Sequence, residues 1–363
     1  LQSAKPGTGK LKIGKMKRRY IIVISLLAIN TLLATLSFTT RPGNEFQFHE
    51  NLSAYKFFEG ALRDLQPAEG VVPYDLNTPL FSNYAEKLRF IKMPPGKKAV
   101  YQEKEIFDLP VGTILIKNFY YYNDFRKPEK GRKIIETRLL AHRNDGWATY
   151  QYIWNEEQTE AVFEPIGDAI TVSYIDNKGK KITAPYVIPN QNQCKGCHAQ
   201  GNRLLPIGLA ARHLNGDYQY SDGKQNQLKY WSQHNMVDLP NSAVPANANW
   251  QDKKFSLEQR ARAYLDINCG FCHNEQGPAN TSGLFLDIHN NSPVALGINK
   301  TPVAAGRGSG DMQFDIVPGN PNKSILIYRM TSNDPGIAMP EIGREQVHKE
   351  GVALISEWIR KMK

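Results

Sequence analysis

Along residues 99–189 the apolar positions recur with a period of two. The runs TILIKNFYYY (113–122), KIIETRLLAH (133–142), ATYQYIW (148–154), AITVSYI (169–175) and KITAPYVI (181–188) are rich in Ile, Val, Thr and Tyr. Such residues fit a pleated, half-buried surface. Asn144-Asp145-Gly146 and Asp176-Asn177-Lys178-Gly179 separate runs as turn signals. The pattern predicts an antiparallel β-rich domain of about six or seven strands over 99–212. In residues 255–363 the period becomes helical. Ser256-Leu257-Glu258-Gln259 is a capping box opening a helix through Asn268. A second helix is predicted from Ser324 to Met330, and a last one over 345–361 with Val352, Ile355, Trp358 and Ile359 on its apolar side.

Elsewhere the patterns are weaker. Residues 51–65 read as a short amphipathic helix with Asn51 as N-cap and Ala54, Phe57, Phe58 and Leu62 at helical spacing. Pro, Gly and aromatic residues interrupt 71–96, which reads as an ordered connecting segment with Tyr74, Phe81 and Tyr84 as packing residues. Residues 213–254 are polar and read as a linker, apart from a helix in QNQLKYWSQHNM (225–236). The expected class is thus α+β multidomain: a helix and connecting segment (45–98), a β-rich domain (99–212), a linker (213–254) and an all-α domain (255–363).

The N-terminal region changes this picture. From Met16 the chain places Lys17, Arg18 and Arg19 before an apolar run over 20–38, the n- and h-regions of a secretory signal. Residues 1–15 read as sequence upstream of a start at Met16. A run of about 19 apolar residues also suffices to span a bilayer, so a cleaved signal and an uncleaved anchor over 16–40 both stay open. Formal charge is +10, but residues 1–19 hold seven Lys or Arg and no acid, leaving +3 for the rest. The basic balance therefore gives no case for nucleic acid.

All four cysteines lie in two echoing stretches, NQCKGCHAQG (192–201) and INCGFCHNEQ (267–276). Three chemistries compete: disulfides, a zinc site, or two attached haems. A disulfide needs no histidine, and a zinc ribbon separates its Cys-x-x-Cys halves by roughly 15–20 residues, far less than here. In c-type attachment two thiols bond one porphyrin, and the adjacent His comes to lie under the iron. The expected cofactors are two covalently attached haems c. Cys194 and Cys197 with His198 hold the first, and Cys269 and Cys272 with His273 hold the second.

With its helix ending in Cys-x-x-Cys-His, its Met-Pro loop in DPGIAMPEIG and its last helix carrying Trp358, the stretch 256–362 resembles a class I cytochrome c domain. That resemblance implies an all-α cytochrome c-like domain with His273 as proximal and Met339 as distal ligand. Met330, the rival, sits within a helical run. An insert over 275–319 departs from the smallest members. Over PYDLNTPLFSNYAEKLRF, ETRLLAHRNDGWATYQYIWNEEQTEA and PGNPNKSILIYRM the chain also resembles a family of secreted bacterial dihaem c-type cytochromes. This implies a class and no substrate. No Met-Pro loop follows the first motif; His213, His234 and Met236 are within reach by sequence, and an open iron position is the alternative. LPVGTILIKNFYY and NDGWATY, followed by Cys-x-x-Cys-His, are similar in arrangement to β-sheet cytochromes c that bind small gases or oxidise hydroxylamine. In that comparison Lys117 is the residue to watch, against the plain reading of a strand-surface lysine. Gly306, Gly308 and Gly310 lack a following Lys-Ser/Thr and read as a flexible turn, with Arg307 a candidate for a haem propionate.

The sequence thus leads to a periplasmic or membrane-tethered electron carrier serving redox partner proteins. A haem enzyme or gas-binding protein with an open first haem is the alternative. No catalytic residue is singled out.

Overall fold

The alternation predicted in residues 113–154 builds the centre of a six-stranded antiparallel sheet. Its strands run in sequence order: β1 (Val71–Tyr74), β2 (Glu86–Lys92), β3 (Ile114–Tyr122), β4 (Arg132–Arg143), β5 (Gly146–Trp154) and β6 (Ala161–Phe163). A two-residue turn joins β4 to β5, with Arg143 opposite Gly146. The structure, a computed structural model, describes residues 46–363, which form one unit. The export signal or anchor expected at 16–40, and the residues before it, lie outside the described residues. Among the described residues no helix is long and apolar enough to cross a membrane.

Period two gives the sheet two buried faces. On one, Ile116 and Tyr120 of β3 join Leu139, Ala141, Tyr150 and Tyr152 under the N-terminal segment, where Leu52, Phe57 and Leu65 are buried. On the other, Leu115 and Leu140 pack with Trp231, while Phe119 and Tyr121 pack on a separate hairpin. That hairpin is β7 (Asp168–Ile175) with β8 (Lys181–Ile188). A register shift between Phe119 and Tyr120 skips Ile135 and turns it onto the hairpin face with Tyr174 and Tyr186.

Six α-helices complete the described residues: α1 (Gln191–His198), α2 (Ala211–Leu214), α3 (Gln227–Gln233), α4 (Leu257–Asn268), α5 (Ile325–Thr331) and α6 (Lys349–Lys361). The expected all-α cytochrome c-like domain after a β domain is overturned. Strand predominates around the six-stranded sheet, and although α4, α5 and α6 share an apolar core through Tyr264, Leu326 and Ile355, they belong to the same unit as the sheet and are not a separate helical domain. Between α4 and α5 the chain makes short 3-10 turns and β-bridges, Ile298 with Ile316 and Phe314 with Ser324. The helices are also tied to the sheet's connections: Phe81 N donates to Asn268 Oδ1 (2.8 Å), and Glu345 N donates to Asn83 Oδ1 (2.7 Å). The helices bury their apolar stripes against one another, but polar groups at their ends are satisfied by the β1–β2 connection, which joins them to the sheet.

Three local stretches also differ from the expectation. Residues 51–65 form 3-10 turns at Leu52–Tyr55 and Leu62–Asp64 around a two-residue strand, because Lys56 and Leu65 take left-handed backbone (both φ 53°) and stop any helix. The interrupted stretch 71–96 supplies β1 and β2; Pro73 is tolerated because β1 is an edge strand. The stretch 213–254 holds α3, a hairpin of Asp217–Tyr220 with Gly223–Asn226, and a two-residue strand at Val237–Asp238 parallel to Ala99–Val100. Its Trp231 is fully buried.

Two buried histidines outside the motifs set an expected acid sensitivity. Burial pushes His213, faced by Asp266, Arg212 and His289, down to about 4. Burial does the same to His348, faced by Glu350 and Lys87. Both folded values lie below the unfolded value of about 6.5, so the unfolded chain binds more protons as pH falls. Stability is therefore expected to fall between pH ~6.5 and ~5, by at most ~1.4 kcal/mol per pH unit for each imidazole. Urea midpoints measured across that range check this; an unchanged midpoint would refute it.

Candidate functional site: two motifs on one cavity

The first motif is presented by α1 directly after β8. Asn190 caps the helix through Gln193 N (2.8 Å), and Gln193 Oε1 accepts from Asn190 N (2.9 Å), a reciprocal capping box that fixes where the helix starts. Gln191 Nε2 donates to Thr149 O (2.9 Å), fastening α1 to β5. One turn on, the fully buried Gln151 donates from Nε2 to Cys194 Sγ (2.8 Å). His198 ends the helix. Its Nδ1 lies 2.7 Å from Leu205 O, and Leu205 N returns a bond to His198 O (2.8 Å).

The second motif follows the same logic. Ser256 and Gln259 form the capping box of α4, and Cys269 stands at the other end as C-cap. The chain then turns tightly, with Cys272 N and His273 N both donating to Cys269 O (3.1 and 2.9 Å). Gly270 is required in that turn, since a Cβ there would stand 2.7 Å from Asp266 O and 2.9 Å from Asp287 Cα. His273 Nδ1 lies 3.2 Å from Leu284 O.

Both histidines thus give Nδ1–H to a backbone carbonyl, which fixes the tautomer and leaves the Nε2 lone pair for a ligand. Burial pushes His198 down to about 4 and lowers His273, so both imidazoles are neutral at pH 7. The four cysteines are free. Burial raises all four thiols, Cys269 and Cys272 to about 12, with the charge of Cys197 adding to the rise at Cys272. These are apolar sites that favour the neutral thiol, unlike the electropositive settings that favour thiolates. Nor do the thiols converge as a zinc set would: among the described residues no three His, Cys, Asp or Glu side chains group around a common point.

All six motif side chains line one cavity of about 980 Å³, at the top of the roughly 300–1,000 Å³ range of ligand pockets. Met339 lines it too, as does Met330, although Met330 is also part of the α4–α6 core. The other three candidates for the first motif's second ligand do not line it. His213 is buried against Asp266 (3.4 Å), Met236 is packed in the Trp231 core, and His234 stacks on Tyr230 (centroids 3.9 Å). Arg307 pairs with Asp334 (2.6 Å) and does not line the cavity.

Of the polar floor, sequence reasoning singled out Lys117 alone. Arg89, Lys117, Arg138 and Gln151 stand opposite one another across four adjacent strands. Lys117, Arg138 and Gln151 line the cavity. Arg138 is clamped by Glu136 (2.5 and 2.8 Å), whose Oε1 also accepts from Tyr186 OH (2.6 Å). Arg89 pairs with Asp75 (2.5 Å). Lys117 has neither a hydrogen bond nor an ion pair among the described residues and lies 5.0 Å from the Phe119 ring centre. Burial, then Arg89, Lys87 and Arg138, push its pKa well down. The strand period could have put 115, 117, 119 on one face, but only the register aligns the three cations. From the loop before α6, Arg344 also lines the cavity and donates to Met330 O (2.8 Å) and Ser332 O (2.5 Å), while its buried Nε has no partner. His348 also lines the cavity, stacked on Phe81 (4.1 Å) and bonded through Nδ1 to Tyr264 OH (2.8 Å). Nothing in its sequence neighbourhood singled it out.

The residues fit covalently bound haem. Free thiols in pairs, neutral imidazoles with anchored Nδ1, apolar walls and the unpaired Lys117 suit a macrocycle with carboxylates. Compared with known protein families, curated proteins and solved structures, the chain matches none.

Proposed function

We propose that this chain is a dihaem c-type cytochrome that passes single electrons between redox partner proteins outside the cytoplasm. The observation that carries the reading is that both Cys-x-x-Cys-His motifs face one cavity with each His Nδ1 held by a backbone carbonyl. When bound, haem c supplies a one-electron iron couple. The protein's part is attachment, ligation and burial. Cys194, Cys197, Cys269 and Cys272 offer the thiols for thioether bonds. His198 and His273 offer Nε2, and Met339 a soft thioether that raises potential relative to a second imidazole. Gln151 orients Cys194, and Lys117, Arg138 and Arg344 provide positive charge for propionates. Such attachment requires export, in keeping with Lys17, Arg18 and Arg19 before the apolar run. Membrane association through 16–40 would tether the carrier, and nucleic acid is not a partner in this reading.

A second reading, a haem enzyme or gas-binding protein with an open first iron, is favoured by one observation: His213, His234 and Met236 all point into other packing. Optical and EPR spectra of the purified holoprotein, with and without carbon monoxide, separate the two. The carrier reading expects two low-spin haems indifferent to the gas. One high-spin haem that binds it would replace the carrier reading with the second, and absence of haem would overturn both.

A further inference from the structure

We infer that the two haems form one closely coupled pair, packed against each other in the shared cavity, so that the protein holds two electrons as a single redox unit. This rests on the dihaem reading above. Two independent haem domains would each enclose their own macrocycle, with protein between them. Here no element separates the motifs: Cys194, Cys197, Cys269 and Cys272 all line the same space.

The backbone around the motifs is stitched together in the way such a pair needs. Two residues after His198, Gln200 donates from Nε2 to the carbonyl of Phe271, one of the two residues between Cys269 and Cys272 (2.7 Å). Gly201 N donates to Gln276 O, three residues after His273 (2.9 Å). Two residues of chain span at most about 7 Å, so the attachment sites lie within one side chain and a few bonds of each other. The loop carrying Met339 reaches across both sites. Ile342 Cδ1 stands 3.7 Å from where a Cβ would sit on Gly196, inside the first motif, and Met339 to Arg344 line the cavity beside the second. Cations also line the cavity from separate parts of the fold, Lys117 and Arg138 from the sheet, Arg329 from α5 and Arg344 from the loop before α6, while Lys300 is paired with Asp315 (3.2 Å).

The pair has consequences that independent haems lack. Reducing one iron changes the field at the other across a low-dielectric gap, so the two reductions are coupled. Their optical transitions and unpaired spins also interact.

The test uses the full-length holoprotein. Haem is first counted by the alkaline pyridine spectrum. Soret circular dichroism is then compared with that of two one-haem variants, Cys194→Ser/Cys197→Ser and Cys269→Ser/Cys272→Ser. The native spectrum is expected to be bisignate and to differ from the sum of the variants. EPR during a redox titration is expected to give less than two simple low-spin signals per oxidised protein, with simple signal regained at half reduction. If a variant fails to accumulate, the EPR titration on native protein decides alone. Two haems with additive spectra and two full simple signals would overturn the pair and leave the carrier reading standing. No haem would overturn the dihaem reading itself, and the pair with it.

Discussion

Serine at both Cys194 and Cys197 is expected to halve the covalently bound haem, and serine at both Cys269 and Cys272 to halve it from the other side. Thioether bonds survive denaturation, so haem staining after a denaturing gel reads attachment without depending on the folded state. Serine is chosen for a structural reason. The fully buried Gln151 gives its amide N–H to Cys194 Sγ and already has an Oε1 with no protein partner. Alanine would leave both of its polar atoms unpaired, at a cost of about 1–3 kcal/mol, and would confuse loss of haem with loss of fold. Serine keeps an acceptor there. Unchanged haem in either variant would defeat the attachment assignment. Stoichiometric zinc lost in its place would restore the metal-site reading of the four cysteines.

Where sequence signals were local and complete, they predicted the structure well. The capping box at Ser256 predicted α4 to the residue, because N-cap, N3 partner and apolar stripe all lie within one short segment. The strands over 113–154 were legible because they are rich in Ile, Leu and Tyr and their turn is marked by Asn144-Asp145-Gly146. Failures came where distant partners decide conformation. The last helix starts at Lys349 and not near Glu345, since Asn83, over 260 residues away, accepts the N–H groups of Glu345 and Gln346. Asn51 was taken for an N-cap, but its side chain caps nothing and its backbone bridges Val162. Pro73 hid β1 because no sequence pattern says which strand will be an edge. The all-α expectation failed for a similar reason: helix spacing was read correctly, but not the sheet connections that bond to the helices' ends. The six Cys and His that line the cavity were legible because each motif is a run of five adjacent residues. Arg138, Arg344 and His348 were not, since they reach the cavity only through register and loop path.

Removing the Asp266 carboxylate is expected to cause a large loss of stability while leaving the Cys and His of both motifs untouched. Asp266 belongs to α4, three residues before Cys269, and is nearly inaccessible. Its Oδ2 accepts from Arg212 Nε (2.9 Å) and Asn247 Nδ2 (2.7 Å), and its Oδ1 accepts from Ile288 N (3.1 Å). One carboxylate therefore joins three segments to the helix that delivers the second motif. Burial would raise its pKa, but His213, Arg212 and Asn247 outweigh that and bring it down to about 2. A carboxyl depressed from its unfolded value near 3.9 contributes stability that is complete well above that pH and is lost as pH falls towards 2. At neutral pH, Asp266→Ala leaves the Arg212 guanidinium largely buried without its counter-charge, a change that typically costs about 3–5 kcal/mol. Against a total of about 5–15 kcal/mol that is a large share. Asp266→Asn preserves shape and one acceptor, so its cost should be smaller and should vary less with pH. Urea denaturation of both variants measures this, and a loss below about 1 kcal/mol in the alanine variant would refute it. Haem count in the folded fraction should remain at the native value in both, because Asp266 does not line the cavity and acts only through the position of α4.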